Sequence, residues 1–543
     1  MISGEVPNGD FPLLIRHLMP TANRSTVPGE IVDTSGLRFT YPQFEERIAR
    51  LAGALTACGV KPGDTVAVLD WDTHRYLECF YAIPSMGCVL MTVNVRLSRD
   101  QVRYTIDHSG ATTVITHPDF LPLLTAGAPE LNLKRIIVAG DAGEFEPPPG
   151  VEMAEYYAIA EAAAPEFDYP DLDERARATM FYTSGTTGNP KGVYYTHRQI
   201  FLHTFGVLTT LGTAPAQGRF DADDVYMPMT PLFHAHAWGM PYVATLLGTK
   251  QVYPGRYKTD VLLRLIQEEG VTFSHCVASV LRMLLDEVKV RQVDLSGKKM
   301  LIGGGALPVG LARSALDHGI DIFSGYGMSE TCAVQTLNHL TATEVAAPLD
   351  EQLKLRTRPG RPILLCTVRT AAPDQTPTPA GEEGEIVFRS PWLTSGYWRD
   401  PDASDELWRG GWLHSGDIGK FDEDGALRIT DRVKDVIKTG GEWLSSLLLE
   451  SLISQVEGVT ESAVIAMPDS RWGERPLALV VPSDGYELDV GTIRSALTEA
   501  AAAGVIPRYG VPEQIRIVDE LAKTSVGKLD KKAIRARYVG QVK

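Results

Sequence analysis

The stretch Tyr182-Thr183-Ser184-Gly185-Thr186-Thr187-Gly188-Asn189-Pro190-Lys191-Gly192-Val193 gathers four Ser/Thr hydroxyls, three glycines and one lysine within a dozen residues. Backbone N–H groups, side-chain O–H groups and a cation can therefore converge, which is the donor set that phosphate oxygens require. It is not the GxxxxGK[ST] loop: Pro190 rather than Gly precedes Lys191, and no Ser or Thr follows it. A Ser/Thr/Gly-rich turn on its own reads equally well as an ordinary polar loop, so its surroundings decide.

Outward from the loop, short β-prone runs alternate with longer helix-compatible stretches. Examples are Thr65-Val66-Ala67-Val68-Leu69, Ala111-Thr112-Thr113-Val114-Ile115, and the series from Val271 through Leu301-Ile302 to Ile320-Asp321-Ile322-Phe323. This alternation predicts an α/β fold. Two strand ends run into Gly303-Gly304-Gly305 and Gly325-Tyr326-Gly327, both read as turns, and open α/β sheets collect ligands at such ends. From about Gly360 shorter strands and more turns, including the Thr370 to Gly384 connection and Asp422-Glu423-Asp424-Gly425, predict a β-rich subdomain. After Arg432 a compact segment of roughly a hundred residues, a common domain size, has its own strand and helix candidates. The expected division is 1–431 and 432–543, with the boundary near Asp431 to Lys434.

At 543 residues the chain exceeds what one core usually organises. With 44% hydrophobic and 22% charged residues it is composed like a globular protein rather than a disordered one. A formal charge of -16 argues against nucleic acid or an anionic membrane surface as a general partner. Cys58, Cys79, Cys88, Cys276, Cys332 and Cys366 are scattered, without a CxxC pair, and are expected to be reduced and mostly structural. Acidic Glu5 and Asp10 and the lack of a basic region followed by an apolar run speak against a signal peptide, and no run reaches membrane-spanning length. A soluble cytoplasmic protein is the expectation; a homodimer is a candidate assembly that one sequence does not fix.

Thr183 to Lys191 resembles the signature of the adenylate-forming superfamily, which comprises acyl-CoA synthetases, peptide-synthetase adenylation domains and luciferases; the nearest resemblance is to medium- and long-chain fatty-acyl-CoA synthetases. Seven further segments fit the family's motifs in order: Phe233-His234-Ala235-His236-Ala237-Trp238, Gly303-Gly304-Gly305-Ala306, Gly325-Tyr326-Gly327-Met328-Ser329-Glu330-Thr331, His414-Ser415-Gly416-Asp417, Asp431-Arg432-Val433-Lys434-Asp435, Gly440-Gly441-Glu442-Trp443 and Lys523-Thr524-Ser525-Val526-Gly527-Lys528. Each alone is weak. The resemblance implies a large N-terminal domain of two α/β subdomains plus a β-rich distorted barrel, and a small, mobile α+β C-terminal domain. It also implies an AMP-forming carboxylic acid:CoA ligase using ATP, Mg²⁺ and CoA on a small-molecule acid.

Residue chemistry agrees with the roles so implied. Ser184, Gly185, Thr186, Thr187, Gly188 and Lys191 would hold phosphates, and Thr183 and Glu330 the metal, since Mg²⁺ takes oxygen ligands and few carboxylates. An isolated Glu would otherwise be a solvated surface residue. Tyr326 offers its ring face to a purine within Ser324 to Ser329, beside Gly304, Gly305 and Ala306, although a Tyr merely covering core is the plain alternative. Asp417 suits the ribose hydroxyls and Arg432 ribose or phosphate; each alone would be an ordinary surface ion-pair partner. Lys528 would normally be solvated; in the family its counterpart stabilises charge developing during adenylation. Lys434 falls at the family's hinge, and Gly441, Glu442 and Trp443 at the pantetheine path, where Trp443 reads nearly as well as domain-interface packing.

The acid would lie by His234, which borders the carboxylate in acyl-CoA synthetases, and Trp238, which resembles the gate of long-chain members. Ala235, Ala237, Gly239, Val277, Ala278 and Gly303 are small or apolar and suggest a roomy pocket for a fatty acid or a bulky alicyclic, aromatic or terpenoid acid. No acidic residue is evident for the ammonium of an amino acid. His234 and His236 lack the further ligands a zinc site needs. A carrier protein or partner acyltransferase is the alternative acceptor to CoA; a luciferase-like oxidation and a pseudo-enzyme are the remaining readings. Two departures stand out: Ala522 where many relatives have Pro, and the apolar Leu444-Ser445-Ser446-Leu447-Leu448 after the Gly440 to Trp443 motif.

Overall fold

The computed structural model describes residues 11–19, 29–124, 131–183, 189–291, 293–439, 442–483, 485–524 and 527–539. A seven-stranded sheet runs in the order Glu152–Glu155, Arg135–Val138, Thr113–Thr116, Thr65–Leu69, Val89–Thr92, Arg177–Tyr182, Gly192–Thr196. It is parallel except for its last pair, the hairpin that carries the Ser/Thr/Gly loop. A nine-stranded sheet is parallel from Asp321–Met328 through Lys299–Ile302, Phe273–Cys276, Val225–Pro228 and Lys250–Tyr253 to Glu30–Asp33, with antiparallel strands at both edges. The inner strands bury almost every residue, as a sheet covered on both faces must.

Helix His74–Ser85 lies between the two sheets and buries all twelve of its residues. Its polar side chains are paired: His74 Nδ1 meets Asp33 of the nine-stranded sheet, Arg75 contacts Asp70 at 3.1 Å, and Glu78 accepts from Arg47 at 2.6 Å and from the Tyr156 hydroxyl at 2.5 Å. Partners of this kind are what make buried charge tolerable. One continuous core joins both sheets with a four-stranded antiparallel sheet of Thr367–Ala371, Gly384–Arg389, Leu413–Phe421 and Leu427–Arg432. The Asp422 to Gly425 turn is present, closed by Gly425 N–H on the Asp422 carbonyl at 2.9 Å.

Five residues beyond Arg432 the chain enters a five-stranded sheet of Ile437–Thr439, Glu442–Leu444, Val459–Asp469, Gly473–Pro482 and Gln514–Ile517. Helices Ser446–Ile453, Val490–Ala502 and Lys531–Tyr538 cover it, and its apolar clusters are separate from the main core. All six cysteines are free.

Candidate active site

The expected turn at Gly325 to Gly327 is strand. Asp321–Met328 continues through these residues and pairs antiparallel with Ala333–Leu337, with a register shift between Tyr326 and Gly327. The glycines permit close approach rather than reversal: a Cβ on Gly327 would sit 1.4 Å from the Ala333 carbonyl oxygen. The bulge presents Tyr326, whose hydroxyl donates to Asp417 Oδ2 at 2.6 Å. Asp417 and Arg432 face each other across neighbouring strands, and Arg432 Nε lies 3.3 Å from Asp417 Oδ1. Burial pushes the Asp417 carboxyl up, while Arg432 and Tyr326 oppose it.

Other residues of this wall are committed locally. The Ser324 hydroxyl donates to the Arg356 carbonyl at 2.9 Å, the Ser329 carbonyl accepts from Tyr195 at 2.5 Å, and the Met328 N–H donates to Thr331 Oγ1 at 3.0 Å. Gly304, at φ +75°, follows strand Lys299–Ile302, and Gly305 and Ala306 beside it are exposed.

Glu330 is 8% exposed, and its Oε1 accepts from the Tyr397 hydroxyl at 2.7 Å. The Tyr397 ring lies 4.6 Å beneath Lys191 Nζ, so one side chain links the carboxylate to the lysine of the Ser/Thr/Gly loop. Burial raises the Glu330 carboxyl, with Tyr397, Lys528 and Lys191 acting in the opposite sense. The Thr183 N–H donates to the Lys191 carbonyl at 2.9 Å and closes the neck of the loop; Ser184, Gly185, Thr186, Thr187 and Gly188 lie outside the described residues. No group of three or more metal-binding side chains occurs among the described residues. A Mg²⁺ at Glu330 and Thr183 would complete its shell with phosphate and water oxygens, in keeping with its habit of keeping few protein ligands.

Lys528 reaches this wall from the five-stranded unit. Its loop is tightened by Thr524 N–H on the Lys528 carbonyl at 2.7 Å and by Gly527 at φ +82°. The stem lies on Gly304, where a Cβ would be 2.9 Å from Lys528 Cε, and Val277 flanks the same spot. Enclosure and Arg432 lower the ammonium to about 8, against the pull of Asp417 and Glu330. Ser279 Oγ, at the start of helix Ala278–Arg291, donates to the Gly527 carbonyl at 3.2 Å. Lys434 and Glu442 are exposed; Gly441 and the Trp443 side chain lie outside the described residues.

On the far side of Gly303, Ala235, His236, Ala237, Trp238 and Gly239 all have positive φ, from 47° to 75°, forming one left-handed turn. Each non-glycine residue there costs roughly 1–2 kcal/mol. The small residues at 235, 237 and 239 thus relieve a crowded backbone, a reason for their size other than a roomy pocket. Trp238 packs on Gly303, where a Cβ would be 3.0 Å from the indole, and its ring lies 5.0 Å from that of His275. His234 stands just before the turn; burial, Lys528 and Arg96 drive its imidazole down to about 3, so it is neutral.

Sequence reading missed the groups that hold this loop. Asp72 is 3% exposed; its Oδ1 accepts from Leu232 N–H at 2.8 Å and its Oδ2 from the Tyr257 hydroxyl, while Thr92 Oγ1 donates to the Phe233 carbonyl at 3.1 Å. The end of strand Val89–Thr92 and the loop after Thr65–Leu69 thereby fix the segment that carries His234.

Residues 22–398 match the family described as AMP-binding enzyme, and residues 448–528 match the AMP-binding enzyme C-terminal domain. The chain belongs to the AMP-binding enzyme family. This AMP-binding enzyme is 37% identical over 506 residues to the long-chain-fatty-acid–CoA ligase of Thermus thermophilus, covering 92% of this chain and 90% of that one. It is 34% identical over 535 residues to the feruloyl-CoA synthase of an Amycolatopsis species, covering 98% and 99%. The anthranilate CoA ligase AuaEII, solved with anthranoyl-AMP, shares the fold at TM-score 0.85 and 22% identity over 97% of this chain and 98% of that one. The AMP-binding enzyme is thus an ATP-dependent acyl-CoA synthetase whose class uses ATP and CoA. Among its described residues no helix is long and apolar enough to cross a membrane.

Proposed function

We propose that this enzyme joins an apolar carboxylic acid to CoA through an acyl-adenylate, and that the described arrangement is the one for the first half-reaction. The observation that carries this reading is the Lys528 side chain lying on Gly304, in electrostatic contact with Glu330, Asp417 and Arg432. A lysine from a separately packed unit has no structural need to enter such a wall.

In this reading Tyr326 stacks on the adenine, and Asp417 and Arg432 bind the ribose. Lys191 and the loop from Ser184 to Gly188 hold phosphates, and the neutral His234 sits beside the acid carboxylate. Mg²⁺ held by Glu330 and Thr183 would supply charge neutralisation on the triphosphate. A carboxylate oxygen attacks the α-phosphorus, the bond from that phosphorus to the pyrophosphate oxygen breaks, and Lys528 stabilises the charge on both sides of the exchange. The CoA sulfur then attacks the acyl carbon, the carbon–oxygen bond to AMP breaks, and the thiol proton passes to solvent. Between the two steps the unit beyond residue 431 turns about Lys434, withdrawing Lys528 and bringing Glu442 and Trp443 to the pantetheine path.

Relatives named for long-chain fatty acids and for a feruloyl acid support an acid with a large apolar body. Pyrophosphate release from ATP and Mg²⁺ over a panel of acids, with and without CoA, tests the proposal. Release without thioester formation would redirect the second step to a carrier protein or an acyltransferase, and absence of release from every acid would refute adenylation.

A further inference from the structure

The segment Thr394 to Trp398 is bonded both to the hairpin that carries the Ser/Thr/Gly loop and to the turn that carries Glu330. Towards the turn, Thr394 N–H donates to the Glu330 carbonyl at 3.0 Å. Towards the hairpin, Trp398 N–H donates to the Gly192 carbonyl at 2.8 Å and the Thr394 hydroxyl to the Tyr194 carbonyl at 3.0 Å. Tyr397 N–H donates to Ser404 Oγ at 2.8 Å, and Trp408 Nε1 to the Thr394 carbonyl at 3.0 Å. The backbone of this strap is therefore held without help from the Tyr397 side chain.

That side chain reaches the two charged groups instead. Its hydroxyl donates to Glu330 Oε1 at 2.7 Å, and its ring faces Lys191 Nζ at 4.6 Å. The backbone around Glu330 is set independently: the Tyr195 hydroxyl donates to the Ser329 carbonyl at 2.5 Å and accepts from Cys332 N–H at 2.8 Å. What the Tyr397 hydroxyl adds is the aim of the carboxylate. A carboxylate has two oxygens and about four lone-pair sites, so engaging Oε1 orients the group and leaves acceptor capacity for a cation. Carboxylates that ligate metals are held by outer hydrogen bonds of this kind. The face of the same ring attracts the Lys191 ammonium, so one residue sets an anion and a cation relative to each other.

We propose that Tyr397 is a positioning residue for adenylation: its hydroxyl aims Glu330 at Mg²⁺, and its ring holds Lys191 for the phosphates. The inference deepens the ligase reading above, on which it rests for the roles of Glu330 and Lys191.

Two substitutions separate the two contacts. Tyr397→Phe deletes the hydroxyl and keeps the ring; Tyr397→Leu removes both. ATP binding to the full-length enzyme, without any acid, is measured by calorimetry in Mg²⁺ and in EDTA. In Tyr397→Phe the gain in ATP affinity conferred by Mg²⁺ should fall about tenfold, with affinity in EDTA within about twofold of the unaltered enzyme. Tyr397→Leu should show the same loss and also weaken ATP in EDTA by about threefold. Glu330→Gln should lose the Mg²⁺ gain as well, and adding Tyr397→Phe to it should cost nothing further, because the hydroxyl acts through the carboxylate. In pyrophosphate release, Tyr397→Phe should raise the half-saturating Mg²⁺ concentration about tenfold and leave the rate at saturating Mg²⁺ within about threefold.

An Mg²⁺ gain untouched by Tyr397→Phe, equal weakening of ATP in Mg²⁺ and in EDTA by that variant, additive losses in the double variant, or EDTA affinity untouched by Tyr397→Leu would overturn the proposal. Any of these together with pyrophosphate release from an acid would leave the ligase reading intact. The expected binding pattern with no pyrophosphate release from any acid would break the ligase reading alone.

Discussion

Two of the places where the five-stranded unit meets the rest of the molecule are built differently. Where the chain enters it, Asp431 is 1% exposed and accepts from the Ser446 N–H at 2.6 Å and the Ser446 hydroxyl at 2.7 Å. Lys531 Nζ donates to that hydroxyl at 2.7 Å and lies 2.7 Å from Glu450 Oε1, and Arg535 pairs with Asp435 at 2.7 Å. At the far end, Lys528 rests on Gly304 by van der Waals contact, and Ser279 gives the Gly527 carbonyl one hydrogen bond. Buried networks hold their geometry, whereas a single partly exposed hydrogen bond contributes only about 0.5–1.5 kcal/mol. A turn about Lys434 must exchange the buried Asp431–Ser446 bonds, whereas the contact around Lys528 parts with little lost, so the unit is lightly docked where the lysine is delivered.

Removing the delivered group should have the largest effect. Lys528→Ala should lower single-turnover pyrophosphate release by about a thousandfold, while thioester formation from preformed acyl-adenylate stays within about threefold. Equal losses in the two half-reactions would mean that the loop is merely structural. At the opposite end, Asp431→Ala strands two buried donors of Ser446 and should cost about 3 kcal/mol. Urea unfolding followed by proteolysis of the C-terminal unit would measure it, and both half-reactions should suffer. A loss confined to adenylation would erase the distinction between the two ends.

The sequence reveals these ends unequally, for physical reasons. Lys528, Glu330, Asp417 and Arg432 stand in short contiguous motifs, and the alternation around Thr65–Leu69 or Lys299–Ile302 is local, so all could be found by reading along the chain. What brings Ile31 beside Gln251, or Asp72 to the Leu232 N–H, is pairing between residues 220 and 160 positions apart, which no local pattern records. Gly325 to Gly327 has turn composition yet forms strand, because glycine serves close approach as readily as reversal. The left-handed turn is hidden more deeply, since Ala235, His236, Ala237 and Trp238 give no glycine signal for positive φ. Tyr397 carries no local signal, because its hydroxyl meets Glu330, 67 residues away.

Smaller perturbations sharpen the light end. Gly304→Ala places a Cβ 2.9 Å from Lys528 Cε at a backbone φ of +75°. Adenylation should slow by about ten- to a hundredfold, the equivalent of roughly 1.4–2.8 kcal/mol, and thioester formation should change far less. Acidity gives a second view. Lys528 has its ammonium lowered to about 8 by enclosure and Arg432. The protonated form stabilises developing negative charge, so adenylation should be full below that pH and fall as pH rises through it, approaching tenfold per unit. His234, neutral from about 3 upward, adds no limb near neutrality. A profile flat from pH 7 to pH 10 would show that the charge on Lys528 is not used.

Ser279→Ala should have the smallest effect and tests the comparison most directly. The substitution deletes the hydrogen bond from helix Ala278–Arg291 to the Gly527 carbonyl of the Lys528 loop and leaves Gly304, Val277 and the lysine untouched. If docking is a shallow equilibrium, losing about 0.5–1 kcal/mol lowers the docked population and slows adenylation by two- to fivefold. The same loss should leave thioester formation unchanged or slightly faster, because less must be undone before the unit turns. Opposite signs in the two half-reactions would identify the contact as a brake on departure; equal slowing would mean that Ser279 only stabilises the fold.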